Sequence, residues 1–421
     1  MDHNHAFARR AVLQGLAAAP LAGLALPALA QTATVSPESV GFSSAGIKAL
    51  NDQFHALVDQ QKLAGVVTLV ARHGKVVNLD SYGKLNSAQP APVAKDSIFR
   101  IASMTKPTIG TAMMMLWEEG KWKFDDPVAK HIPEFANLKV KAADGSLVDQ
   151  KTPMLMKQLN SHSAGFDRSA GYSSANLQAT DLQGMINTLA KLPLAYQPGA
   201  EWRYGPSVDI QGYVVQKLSG MSLDQFLQTR LFGPLGMKDT GFWVDASKVA
   251  RCASVHIYTD GKITPQAATN NVRTSKPAFL SGSGGLSSTV PDYFSFAQMI
   301  LNGGQAGGKR YLKADTVALM HTNVLNPGVN VTLYSPDTRG LGFGVDFAIV
   351  MDQKANKTSQ AQNAFYWGGA FGTWFWIDPD NDVVVIGMIQ NLNGSTPGTG
   401  TPLCREISAA ATYAALTNKK A

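Results

Sequence analysis

Ile98-Phe99-Arg100-Ile101-Ala102-Ser103-Met104-Thr105-Lys106-Pro107 runs directly into the apolar stretch Ile109 to Trp117, and this junction decides how the rest of the chain is read. The apolar stretch has helical pattern, and residues i and i+3 of a helix share a face, so the Ser103 hydroxyl and the Lys106 amine can meet. Pro107 fits a first helical turn, where its missing N–H has no partner to lose. A helix start also offers backbone N–H groups and positive potential to a nucleophile that will carry an oxyanion beside it. A serine hydroxyl is a poor nucleophile until a base takes its proton, and a lysine desolvated in a pocket can be that base. The same Ser-x-x-Lys spacing recurs at Ser81-Tyr82-Gly83-Lys84, but at the end of a strand, where a three-residue step sends the two side chains to opposite faces. By itself the pattern at Ser103 also fits a helix cap followed by a surface amine.

Upstream, Ile47, Leu50, Phe54, Leu57 and Val58 recur at helical spacing between Ser43 and Gln61 behind a serine cap, which predicts an amphipathic helix. Val66 to Arg72 and Val76 to Tyr82 read as strands joined by His73-Gly74-Lys75, an antiparallel hairpin. Downstream, the stretch from Thr108 to Gly236 is mostly helical pattern broken by Pro and Gly loops. Strand signal returns in Thr373 to Ile377 and Val383 to Ile389 around an Asp-Pro-Asp-Asn-Asp turn, and Arg405 to Leu416 closes the chain as a helix. The two ends therefore build one unit. The expected fold is α/β (α+β): an antiparallel sheet flanked by helices, with residues 31–115 and 276–421 forming the α/β domain and residues 116–275 a large, mostly helical insertion.

The chain has 421 residues, enough for two to three domains' worth of core, and its 45% hydrophobic and 16% charged content excludes a disordered or fibrous protein. The net charge of +7 is spread out, with no block of like charges that reads as a nucleic-acid or lipid patch. Arg9-Arg10 precede an apolar run from Ala11 to Ala30 that ends in Ala28-Leu29-Ala30, so residues 1–30 read as a signal peptide of the twin-arginine type. Pro20 and Pro27 interrupt the run and count against a retained membrane span. The expected location is periplasmic or secreted. Cys252 and Cys404 could bond in such a compartment, but nothing in their spacing shows that they meet. Other chemistry is missing from the pattern: there is no Gly-x-Ser-x-Gly elbow and no His-Glu-x-x-His. Gly303 to Arg310 comes near a phosphate loop, but Arg310 stands where a Ser or Thr must meet magnesium, so it reads as a glycine-rich turn.

The stretch Ile98 to Pro107 resembles the nucleophile segment of the serine β-lactamase and penicillin-binding-protein superfamily, in its class C branch. Leu159-Asn160-Ser161-His162-Ser163-Ala164-Gly165, Pro234-Leu235-Gly236-Met237, Gly284-Gly285-Leu286-Ser287-Ser288-Thr289 and Gly340-Leu341-Gly342-Phe343-Gly344 resemble further family segments in family order, covering about Ser36 to Ala415. Two catalytic motifs are altered. The family's Tyr-x-Asn maps to Tyr204-Gly205-Pro206, which loses the amide that helps hold a substrate's side chain. Its Lys-Thr-Gly maps to Trp367-Gly368-Gly369, which replaces a carboxylate-pairing cation by an indole. In this respect the chain is similar to the family VIII carboxylesterases, whose substrates are uncharged esters.

The resemblance implies a serine hydrolase acting on small, short-chain carboxylic esters through an acyl-Ser103 intermediate. Lys106 and Tyr204 would share the proton-acceptor role, and the backbone N–H groups of Ser103 and Ala370 would form the oxyanion hole. Trp367, Gly368 and Gly369 would border the substrate, the two glycines allowing close backbone approach. His162 lies in a segment the family uses structurally and is left out of the mechanism. No metal and no organic cofactor is required. The same three residues would serve a β-lactamase, a D-amino-acid peptidase or an acyltransferase, and a non-catalytic binding protein could keep the fold without turnover. Composition leaves the oligomeric state open.

Overall fold

The computed structural model describes residues 32–168, 180–266, 272–332, 339–392, 394, 397, 398 and 400–418; the expected signal peptide over residues 1–30 lies outside them. The centre of the molecule is a seven-stranded antiparallel sheet. Its strands, in chain order, are β1 (Gly65–Arg72), β2 (Lys75–Gly83), β3 (Leu341–Phe343), β4 (Ala348–Val350), β5 (Phe365–Gly368), β6 (Trp374–Asp378) and β7 (Val383–Met388). They lie side by side as β3-β4-β5-β6-β7-β1-β2. The two expected hairpins are present and meet: Leu69 of β1 pairs with Leu79 on one side and with Ile386 of β7 on the other. Strand-forming residues at the two ends of the chain thus complete one sheet.

Every residue of β1, β6 and β7 is buried, because helices cover both faces. The period of two along β6 sorts its aromatics between those faces. Trp374 stacks on Phe54 of α1 (Ser44–Asp59) at 5.7 Å between ring centres. The next residue, Phe375, meets Tyr293 of the helix Val290–Leu301 at 5.0 Å on the opposite face. The closing helix, Cys404–Ala415, joins the α1 side, where Ser408 Oγ accepts hydrogen bonds from the indoles of Trp374 (2.9 Å) and Trp376 (3.4 Å). Gly46 of α1 permits this packing, since a Cβ there would lie 2.5 Å from that of Ala415. Ser43 caps α1 by accepting from the Gly46 N–H at 3.2 Å, as the sequence led us to expect.

α2 (Lys106–Glu118) is buried from Lys106 to Leu116 without a break. A helix apolar on all sides must be enclosed on all sides, and α2 packs against α3 (Ser207–Ser219) away from the sheet. Between α2 and residue 275 the chain carries, besides α3, the helices Met156–Asn160, Leu182–Leu189 and Leu223–Leu227, and two short hairpins, Val140–Lys141 with Leu147–Val148 and His256–Thr259 with Lys262–Pro265. The glycine-rich turn forms a small hairpin of Gln305–Ala306 with Lys309–Arg310, and Arg310 donates to the carbonyls of Gly303 and Leu312. Among the described residues no helix is long and apolar enough to cross a membrane.

Candidate active site

The nucleophile candidate sits on a single tight turn, Ala102–Thr105, that feeds straight into α2. Ala102 adopts φ +43°, a conformation that costs an L-residue roughly 1–3 kcal/mol and persists only where surrounding structure imposes it. Those restraints are visible. The Ile101 N–H donates to Leu286 O at 3.0 Å, the Leu286 N–H to Thr105 Oγ1 at 3.2 Å, and the Tyr293 hydroxyl to Met104 O at 2.8 Å. Ser103 lies in this turn, one residue after Ala102 and ahead of the first residue of the buried helix.

Lys106 is almost fully enclosed, yet its Nζ reaches Ser103 Oγ at 3.2 Å and donates to Ser283 O at 2.6 Å. It also lies 4.6 Å from the centre of the Tyr204 ring. The i,i+3 spacing therefore brings hydroxyl and amine together, as the sequence predicts. The other Ser-x-x-Lys does not do so: Ser81 pairs with Val67 in the sheet, and Lys84 is bridged to Pro92. Tyr204 is placed just ahead of α3 by a close backbone contact, Gly205 lying against Asp167 O where a Cβ would come within 2.9 Å. Its hydroxyl is buried and has no hydrogen-bond partner among the described residues. An unsatisfied buried hydroxyl costs roughly 1–3 kcal/mol, and such groups call for a functional explanation.

Ser103, Tyr204, Trp367, Gly368, Ala370 and Arg168 line one cavity of about 400 Å³. Trp367 forms its aromatic wall, 5.7 Å from Tyr204 and 5.3 Å edge-on from Phe343. Gly369 does something different from what its sequence position suggested. It does not border the cavity; a Cβ on it would lie 2.3 Å from Ile101 O, so its bareness lets the end of β5 press against the nucleophile turn. Thr373 Oγ1 donates to the same carbonyl at 3.1 Å. This contact carries the Ala370 segment to the side of Ser103.

Near the cavity lies a set of buried polar groups, of which the sequence had drawn notice only to His162. Asp209 accepts from Ser281 Oγ at 2.8 Å and from the Ser283 N–H at 2.9 Å, and so holds the loop whose carbonyl fixes Lys106. Burial pushes the Asp209 carboxyl up, against those hydrogen bonds and the Lys106 charge. Asp346, also with positive φ, accepts from Gln211 Nε2 at 3.2 Å, and burial drives it well above the usual carboxylate range, which favours its uncharged form. His162 packs its ring 4.7 Å from Tyr204, and burial together with the Lys106 charge holds it well below its ordinary value. Its ring forms a buried wall beside the tyrosine. Only the placement of Asp209, in the first turn of α3 and five residues after Tyr204, was open to detection from spacing. Cys252 and Cys404 are free thiols, one half-buried and one buried.

Of the family-like segments, those containing His162, Gly284 and Phe343 converge on this site, whereas Pro234 to Met237 forms a turn elsewhere with Gly236 at φ +72°. The family model described as "Beta-lactamase" matches residues 50–402. An uncharacterised protein of Mycobacterium tuberculosis is 32% identical over 79% of this chain and 87% of its own length. Esterase EstB of Burkholderia gladioli is 28% identical over 82% of this chain and 90% of its own. Among solved structures, that of EstCE1, described as a hydrolase with promiscuous acyltransferase activity, superposes with a TM-score of 0.74 at 24% identity, covering 90% of this chain and 99% of that one.

Proposed function

The chain belongs to the beta-lactamase family of serine hydrolases, and from that premise we propose that it is a carboxylesterase working through an acyl-Ser103 intermediate. The observation that carries this reading is the buried Lys106 amine 3.2 Å from Ser103 Oγ and 4.6 Å from the Tyr204 ring centre, beside a cavity that Ser103 and Tyr204 line. In the first half-reaction Ser103 Oγ attacks the ester carbonyl while its proton passes to the Lys106–Tyr204 pair. The tetrahedral oxyanion is held by the N–H groups of Ser103 and Ala370. Its collapse breaks the C–O bond to the alcohol, which takes the proton as it leaves. Water then attacks the acyl-serine by the same route in reverse, restoring Ser103 and releasing the acid.

Trp367 supports an ester in preference to a β-lactam. By the family resemblance its indole replaces a carboxylate-pairing cation, and it lines the cavity as a buried, flat apolar wall. The similarity to EstB points the same way. Short-chain esters suit a cavity of about 400 Å³. The test compares wild type with Ser103→Ala on p-nitrophenyl esters of graded chain length, with nitrocefin alongside, and adds labelling by a fluorophosphonate. The expected result is ester turnover and labelling in wild type only, with nitrocefin cleaved slowly or not at all. Undiminished turnover by Ser103→Ala would remove Ser103 from the mechanism, and fast nitrocefin cleavage would favour a β-lactamase. We further propose export by the twin-arginine route, for which the mature protein in the periplasmic fraction should begin at Gln31.

A further inference from the structure

Asp346 sits in the turn between β3 and β4, fully buried, and the proposed reaction makes no use of it. Its Oδ1 accepts from Gln211 Nε2 at 3.2 Å, and its backbone N–H donates to Asn160 O at 3.2 Å. Gln211 Nε2 donates a second time, to Leu159 O at 3.3 Å. That second bond fixes which way the amide points, because a flip would set Oε1 against two acceptors. Gln211 and Asn160 are as deeply buried as Asp346. Three acceptor atoms on these residues, Asp346 Oδ2, Gln211 Oε1 and Asn160 Oδ1, have no hydrogen-bond partner among the described residues. An ionised carboxylate can only accept, so a charged Asp346 gives none of them a donor. One proton on Oδ2 turns an acceptor into a donor. The acid and the amide are planar and already joined at Oδ1 and Nε2, so a bond from Oδ2–H to Gln211 Oε1 closes a ring of two hydrogen bonds. Burial acts in the same direction, driving this carboxyl well above its usual range against the Gln211 bond and the Lys106 charge.

We propose that folded Asp346 keeps a proton and donates it in a hydrogen bond to Gln211 Oε1, and that this acid–amide pair positions the catalytic groups. The positioning half rests on the esterase reading and is supported by where the partners lie. Asp346 reaches α2 at Gly110, four residues after Lys106, where a Cβ would come within 2.9 Å of Oδ2. Gln211 lies on α3, seven residues after Tyr204. Asn160 lies two residues before His162, whose ring packs on Tyr204. The pair thus ties the edge of the sheet to the segments that carry Lys106, Tyr204 and His162. The titratable groups on the elements packed against Asp346 are Lys106 on α2, Asp209 on α3, His162 beyond Asn160, and His321, next to Met320, whose carbonyl accepts from the Val345 N–H at 2.9 Å. Of these, Lys106 is the charge that acts on Asp346.

Equilibrium denaturant melts of wild type and Asp346→Asn at about pH 5.5, 7 and 8.5 test the proton. Asparagine places an acceptor and an N–H donor at the same two points and tolerates the φ of +60° found here, so Asp346→Asn should fold and be at least as stable as wild type near neutrality. An acid that keeps its proton when folded and releases it when unfolded loses stability as pH rises above its unfolded value. The unfolding constant of wild type divided by that of Asp346→Asn should therefore rise with pH, by up to about tenfold per unit, while groups common to both proteins cancel. A ratio that stays flat across this range overturns the proposal, as does an Asp346→Asn that fails to fold. Gln211→Met removes the partner and should lower Tm by roughly 3 °C or more; an unchanged Tm counts against the pair. A second arm reads the positioning on p-nitrophenyl butyrate. There kcat should stay within about threefold of wild type in Asp346→Asn and fall at least roughly tenfold in Gln211→Met, with little change in KM. Equal kcat in all three proteins overturns the positioning role. If wild type does not hydrolyse the ester, the esterase reading fails while the melts still decide the acid–amide pair.

Discussion

Replacing Gly369 by alanine tests how the cavity is built, because that residue touches the nucleophile turn and not the substrate. The new Cβ would lie 2.3 Å from both Ile101 O and Thr373 Oγ1, and real Cβ contacts below 3.0 Å essentially do not occur. The end of β5 and the Ile101 turn must therefore separate by about 0.7 Å. Thr373 can rotate away, but Ile101 O is backbone, two residues before Ser103, and is pinned by its own neighbours. The strain of such overpacking is worth roughly 1–3 kcal/mol. The catalytic effect is larger than the strain suggests. A displacement approaching 1 Å costs on the order of 10²-fold in rate, and loss of one oxyanion-hole donor about 10²–10³-fold in kcat. Gly369→Ala should therefore lower kcat on a p-nitrophenyl ester by at least roughly 100-fold. KM should move little, because Gly369 does not border the cavity. Steady-state kinetics beside a melting curve separate this from unfolding. A variant that melts normally and keeps kcat within about threefold of wild type would refute the idea that this contact positions the Ala370 N–H.

Tyr204→Phe should separate stability from activity: the buried hydroxyl has no partner among the described residues, so its removal should leave Tm equal or slightly raised while kcat falls at least roughly 100-fold. His162→Asn should flatten the pH dependence of stability. The folded His162 is held well below its ordinary value, so below about pH 6.5 the unfolded chain takes up a proton that the folded chain refuses, and stability falls as pH falls by up to roughly 1.4 kcal/mol per unit. Denaturant melts at pH 7.5 and 5.5 should show a smaller loss in the variant, with a residual slope from His256 and His321, which are depressed in the same direction. Asp209→Ala leaves the Ser281 hydroxyl and the Ser283 N–H without their acceptor, which should cost roughly 1–3 kcal/mol. It should lower kcat more than it raises KM, since the Ser283 carbonyl then no longer fixes Lys106; equal changes in both would argue for a general loosening of the fold.

The strands that flank the chain were legible because their signal is local: alternation or unbroken runs of β-branched residues, with turn residues between them. The pairing of Ser103 with Lys106 was legible for the same reason, since a three-residue step at a helix start leaves little freedom. The aromatic stretch from Phe365 to Trp376 was not. Seven of its twelve residues are aromatic, and nothing in their order tells a cavity wall from a core residue until β5 and β6 are placed in the sheet. Strand alternation then sends Trp374 toward α1 and Phe375 toward the opposite helix, while Trp367 is left beside Tyr204.

The sequence by itself determined that the Ser103 hydroxyl and the Lys106 amine meet and which elements bracket them, because each of these depends on contacts within a turn or a hairpin. Only the tertiary structure decided what surrounds that pair. The anchoring of Lys106 by Ser283, the loop held by Asp209 and the approach of Gly369 to Ile101 all join residues more than 70 positions apart. Such contacts leave no periodicity in a chain. They arise only when the sheet closes and buries both partners, and burial then sets their charge.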